Sequence, residues 1–74
     1  MQVQVRLYAT FRNERFNEQT RDYQPGTTIK NVLDELAIDE SLVGTLFVDF
    51  KHATSDQELH EGAFLGIFPV VGGG

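Results

Sequence analysis

The chain has no cysteine, and that absence removes more chemistry than any other feature of its 74 residues. No disulfide can brace the fold, and no thiolate can hold zinc or an iron–sulfur cluster. Serine is almost as scarce. Ser41 and Ser55 are the only two, and neither lies in the strand–turn–helix elbow that a serine nucleophile uses. No apolar run approaches the ~20 residues of a membrane span. The opening stretch MQVQVRL alternates and has no apolar signal-peptide segment, so a cytoplasmic protein with no membrane partner is expected. Basic residues are few, six against eleven acidic, for a net charge of −5. Phosphate backbones need a basic stripe, which argues against a nucleic-acid partner.

The charge is also uneven. Up to Lys30 there are five basic and three acidic residues, and beyond it one basic and eight acidic. The acidic C-terminal half suggests a solvated surface or one steered toward a basic partner. His52 and His60 have no cluster of converging ligands, so no metal site is expected. Asp56, Glu58 and Glu61 could suggest an acid–base pair. A chain this small leaves little room for a desolvated cleft, because it buries only about 60% of its unfolded surface. A catalyst acting alone is not expected.

What is present is a clear pattern of short elements. In QVQVRLY, Val3, Val5 and Leu7 alternate with Gln2, Gln4 and Arg6 as in a half-buried strand. The polar stretch ATFRNERFNEQT reads as a turn into a second strand at about Gln19–Gln24, closed by Pro25-Gly26. TTIKNVLDELA places Ile29, Val32, Leu33 and Leu36 on one helical face, with Thr27 or Thr28 as N-cap and Asp34 and Glu35 facing away. TLFVDF reads as a strand with Leu46, Val48 and Phe50 on one side. KHAT reads as a turn or short strand, and SDQELHEG as one brief helical turn capped by Ser55 or Asp56. AFLGIF is the last strand, with Leu65 and Ile67 on one face and Phe64 and Phe68 on the other. The order predicts an α+β domain, residues 1–68, whose mixed sheet carries one main helix on one face. A β-grasp arrangement fits, with the first and last strands adjacent at its centre.

Residues 69–74, PVVGGG, are read as an extended, flexible tail. Pro69 has no amide to donate and is expected to end strand pairing. Six extended residues reach at most roughly 20 Å, enough to enter another protein's active site. Glycines thread a narrow passage without side chains, and a terminal carboxylate becomes reactive once an ATP-dependent enzyme adenylates it. Phe64 and Phe68 are either interface aromatics or core beneath the helix; sequence alone does not orient the sheet.

Three stretches, VRLYATFRN, PGTTIKNVLDEL and ELHEGAFLGIFPVVGGG, resemble the MoaD/ThiS family of ubiquitin-like sulfur carriers over nearly the whole chain. Gly73 and Gly74 match that family's terminal pair, and Gly72 falls at the variable position before it. Tyr8 through Arg12 looks more like the molybdopterin-synthase small subunit. Val70, in place of the usual second proline, looks more like the thiamine carrier. Asp49 stands where asparagine is common, and Ala63 where an acidic residue is.

The resemblance implies a carrier that is not itself an enzyme and binds no cofactor. A MoeB/ThiF-type enzyme would use ATP to adenylate Gly74, and a sulfurtransferase would supply sulfur for a thiocarboxylate. Pro69, Val70, Val71, Gly72 and Gly73 would thread the partner's channel, with Phe64 and Phe68 at the interface. The acceptor would be the large subunit of molybdopterin synthase or thiazole synthase. Conjugation to lysines through Gly74, and an inert tail on a plain interaction module, are the alternatives.

Overall fold

The computed structural model describes residues 1–71. Six regular elements follow one another: β1 (Gln2–Leu7), β2 (Glu18–Asp22), α1 (Ile29–Glu35), β3 (Val43–Val48), β4 (Lys51–His52) and β5 (Ala63–Pro69). Short 3₁₀ turns at Ala9–Arg12 and Glu40–Leu42 precede β2 and β3. The strands form one sheet in the order β2-β1-β5-β3-β4. β1 and β5 run parallel at its centre, and the remaining pairs are antiparallel. The first and last strands are therefore neighbours, as their sequences predict.

Alternation sorts the two faces. Val3, Val5 and Leu7 of β1, Ala63, Leu65 and Ile67 of β5, and Leu46 and Val48 of β3 all turn inward. They meet Ile29, Val32 and Leu33 of α1 in a single core. Fully burying one such side chain stabilises the fold by about 1.5–3 kcal/mol. Thr28 is the N-cap. Its hydroxyl accepts from the Asn31 amide while the Asn31 side chain accepts from the Thr28 amide, so two free donors are satisfied at once. The helix ends with Ala37 in the left-handed region (φ 57°). There the Ile38 amide donates to the Leu33 carbonyl and the Ala37 amide to that of Asp34, a Schellman closure.

Four details depart from the sequence reading. Ser55–Gly62 forms no helical turn. It runs past the start of α1, where the amides of Ile29 and Lys30 donate to the carbonyls of Gln57 and Ser55. The segment satisfies another helix's free amides instead of coiling on itself, and it buries Leu59. The polar stretch after β1 hides Phe11, carried into the core by the first 3₁₀ turn. Glu35 is not an idle surface charge: it accepts hydrogen bonds from Arg21 (3.0 Å) and the Tyr23 hydroxyl (2.8 Å), tying β2 to α1.

The fourth concerns Phe50. β3 ends at Val48, and Asp49-Phe50 form a two-residue hairpin turn into Lys51, both left-handed (φ 52° and 68°). Such turns match the twist of the strands but ordinarily favour Asn-Gly. Asp49 tolerates the geometry through its short polar side chain; Phe50 is strained there. The turn carries the Phe50 ring off the inward-facing series and out into solvent, 80% exposed.

Candidate functional site

The site has two adjoining parts, the root of the tail and the sheet face away from α1. β5 carries the chain out through the middle of the sheet. Pairing does not stop at Pro69, which stands in register with Val43, and the Val70 amide donates to the Leu42 carbonyl at 2.8 Å. Proline lacks the donor, but the next amide keeps the chain docked. Gly44 makes this possible. A Cβ there would stand 2.7 Å from the Pro69 carbonyl oxygen and 2.9 Å from Val70 Cα. Beyond this anchor, Val70 (60%) and Val71 (89%) are exposed. Pro69, Val70 and Val71 thus lie at the mouth of the tail. Gly72, Gly73 and Gly74 lie outside the described residues.

Phe64 and Phe68 alternate with Leu65 and Ile67 and stand half-buried on the face opposite α1. They are not beneath the helix. Three aromatics that the sequence reading did not assign to this face join them: Tyr8, Phe47 and Phe50. Tyr8 stacks on Phe68 with ring centroids 3.8 Å apart, and Phe47 meets Phe68 edge-on at 5.7 Å. Phe50 stacks on Phe64 at 5.3 Å. Between the two groups Gly66 supplies no side chain, which leaves an apolar pocket of about 160 Å³ lined by the five rings and that glycine. Tyr8 and Phe47 were legible as out-facing members of alternating strands. Phe50 was not, because its position depends on where the hairpin turns.

Asp49 fixes the pocket's outer wall. Its amide donates to the Phe64 carbonyl (2.9 Å), and its Oδ1 accepts from the Phe64 amide (3.0 Å). Its Oδ2 meets His60 Nε2 at 2.9 Å. An asparagine there would lack the second acceptor oxygen for His60. Arg6 lies 5.1 Å over the Tyr8 ring and pairs with Glu18 at 3.3 Å; His52 rests on Phe47 at 4.7 Å.

Away from the site, burial and the Glu35 carboxylate raise the Tyr23 hydroxyl from 10.0 to about 12. Hydrogen bonding from the Ser41 amide and hydroxyl holds the Asp39 carboxyl below its usual range. Among the described residues no group of His, Asp and Glu converges as metal ligands, and no helix is long and apolar enough to cross a membrane. The arrangement presents a peptide and an adjoining aromatic surface rather than a cleft.

A five-stranded mixed sheet with one helix on one face, and its last strand leaving from the centre, defines a ubiquitin-like β-grasp domain. The ThiS family model matches residues 5–74, and the chain belongs to that family. No curated protein matches it by sequence. Solved structures share its fold. SAMP1 from Haloferax volcanii superimposes with a TM-score of 0.77 at 19% identity, covering 100% of both chains. A putative molybdopterin converting factor subunit 1 from Pyrococcus furiosus gives 0.77 at 23% identity, covering 96% of this chain and 99% of the other. A chain from the Helicobacter pylori complex of molybdopterin-converting factor subunits 1 and 2 gives 0.65 at 19% identity, covering 100% of both.

Proposed function

We propose that the protein is a cytoplasmic sulfur carrier whose Gly74 carboxylate is adenylated by an ATP-using, MoeB/ThiF-type enzyme and converted to a thiocarboxylate. Sulfide displaces AMP from the acyl carbon, and the C–S bond replaces the acyl phosphate bond. A persulfide on a sulfurtransferase would instead form an acyl disulfide, which a second thiol cleaves to the thiocarboxylate as it forms a disulfide with the sulfurtransferase. The carrier supplies the reactive carboxylate and its delivery; its partners supply the catalytic groups. One observation carries this reading. A central strand, locked on both sides, holds the root of a glycine-ended segment beside an open aromatic face. Pro69, Val70, Val71, Gly72 and Gly73 then enter the partner, while Phe64 and Phe68 meet its surface.

The acceptor we favour is the large subunit of molybdopterin synthase. The Tyr8–Arg12 block supports it, and so does the fold shared with converting-factor subunits 1, one of them seen in complex with subunit 2. Val70 keeps thiazole synthase as the alternative acceptor. The fold shared with SAMP1, a small archaeal modifier protein, favours one further reading, conjugation to lysines through Gly74.

The test is the intact mass of the untagged protein after incubation with the activating enzyme, ATP and a sulfur source. A gain equal to exchanging one oxygen for sulfur, localised to Gly74, is the expected result. A ladder of conjugates on other proteins, without that gain, would replace the carrier reading by the modifier one.

A further inference from the structure

The end of β5 is paired to β3 after β1 has let it go. β1 pairs with β5 only as far as Ile67, whose carbonyl accepts from the Tyr8 amide (3.2 Å). Beyond that point Thr45 stands opposite Phe68 and Val43 opposite Pro69. The Leu42 carbonyl then accepts from the Val70 amide at 2.8 Å. Gly44 is the extra residue of a bulge between the two pairs. Bulges bend a strand and re-aim what it carries. Here the Pro69 carbonyl oxygen and Val70 Cα occupy the space where a side chain at position 44 would begin.

This pairing shortens the reach of the tail. Six extended residues from Pro69 would span roughly 20 Å. With Pro69 and Val70 held on β3, the sequence supplies four more residues, 71–74, after the anchor. Four extended residues span at most about 14 Å. A proline at position 70 could not make the bond, because it has no amide to donate. The anchor thus depends on Val70 in this chain, with Leu42 and Gly44 as its other half.

We propose that the Leu42 carbonyl and Gly44 are positioning residues for the tail. They keep Pro69 and Val70 on β3 while residues 71–74 alone enter a partner. The partner's reacting group then lies within about 14 Å of the anchor, at the end of a shallow passage. The inference deepens the carrier reading and rests on its view that Gly74 is the reacting residue.

The test has two parts. In the chain alone, the Val70 amide should exchange with solvent at least about fivefold more slowly than the Val71 amide, as one net hydrogen bond implies. In the loading reaction with the activating enzyme, ATP and sulfide, tail length should be critical only while the anchor holds. Deleting Gly72 from the wild type shortens the reach by about 3.5 Å. It should slow loading by at least about a hundredfold, since small misplacements of a reacting group are costly. Gly44→Ala drives the strands apart and Val70→Pro removes the donor, so either should release the root and return length to the tail. In these two backgrounds the same deletion should cost less than about tenfold, the mark of coupled positions. A melting curve identifies a variant that does not fold, and the other variant then carries the comparison.

An equal cost of the deletion in every background would overturn the positioning role, because a residue that only stabilises the fold does not couple to tail length. A Val70 amide that exchanges as fast as that of Val71 would overturn the anchor itself. A wild type that gains no mass would overturn the carrier reading instead. The exchange measurement, made on the chain alone, would still decide the anchor.

Discussion

Gly44 lies against Pro69 so closely that the smallest side chain would not fit: a Cβ on Gly44 would stand 2.7 Å from the Pro69 carbonyl oxygen. The obstructing atoms are backbone, from the stretch that carries the tail out of the sheet. Gly44→Ala must therefore push β3 and the tail root apart. We expect a loss of about 1–3 kcal/mol in unfolding free energy, the usual cost of overpacking. The Val70 amide, bonded to Leu42, should exchange with solvent faster than in the wild type. Wild-type exchange at Val70 together with unchanged stability would show that the contact is slack.

Arg15 joins two parts of the chain that share no regular pairing. Its guanidinium donates to the carbonyls of Leu36 (3.0 Å), Ala37 (3.2 Å) and Phe11 (3.2 Å). The first two follow α1, where free carbonyls favour a cation; the third holds the 3₁₀ turn that buries Phe11. Arg15→Ala should cost about 1–2 kcal/mol. Arg15→Lys should recover only part of this, since an ammonium cannot reproduce the planar fork. Denaturant midpoints of the two variants check the ordering, and equal midpoints for wild type and alanine would refute it.

Much of this was legible in the residues themselves. Val3, Val5 and Leu7 announce a strand by alternation, and Ile29, Val32 and Leu33 announce the helix face, because burial on one side imposes a period on the sequence. Phe64 and Phe68 could be placed opposite Leu65 and Ile67, but not oriented, since which face the helix covers is a property of the whole sheet. Phe50 was misplaced because a strand's alternation holds only until the chain turns, and Asp49-Phe50 is a turn without glycine. The segment around Leu59 looked helical because Ser55 and Asp56 are good caps. Its backbone instead serves α1, a long-range demand that no local pattern records.

The Tyr23 hydroxyl couples stability to alkaline pH. Burial and the Glu35 carboxylate raise its pKa from 10.0 to about 12 in the fold. The folded protein thus holds this proton more tightly than the unfolded chain does. The contribution is fully present below pH 10 and is lost as the pH rises toward 12. Tyr23→Phe removes the titrating group, so its stability should change less across that window than that of the wild type. Parallel urea titrations at pH 9 and pH 11.5 make the comparison. Identical slopes with pH would place the alkaline sensitivity elsewhere.

Gly73→Val separates the fold from the chemistry proposed for the tail. Among the described residues the last pairing of the sheet is made by the Val70 amide, three positions before Gly73, so the substitution is expected to leave the sheet intact. Thermal stability should stay within about 0.5 kcal/mol of wild type, as for surface changes generally. Sulfur loading should nonetheless fall by at least about tenfold, because a β-branched side chain widens the peptide and restricts its backbone where a thin, freely rotating segment is required. Intact mass after incubation with the activating enzyme, ATP and sulfide reads the loading, and a melting curve reads the fold. Normal loading of Gly73→Val would mean that the glycines do not serve to thread a narrow passage, and the carrier reading would then have to rest on the Gly74 carboxylate alone.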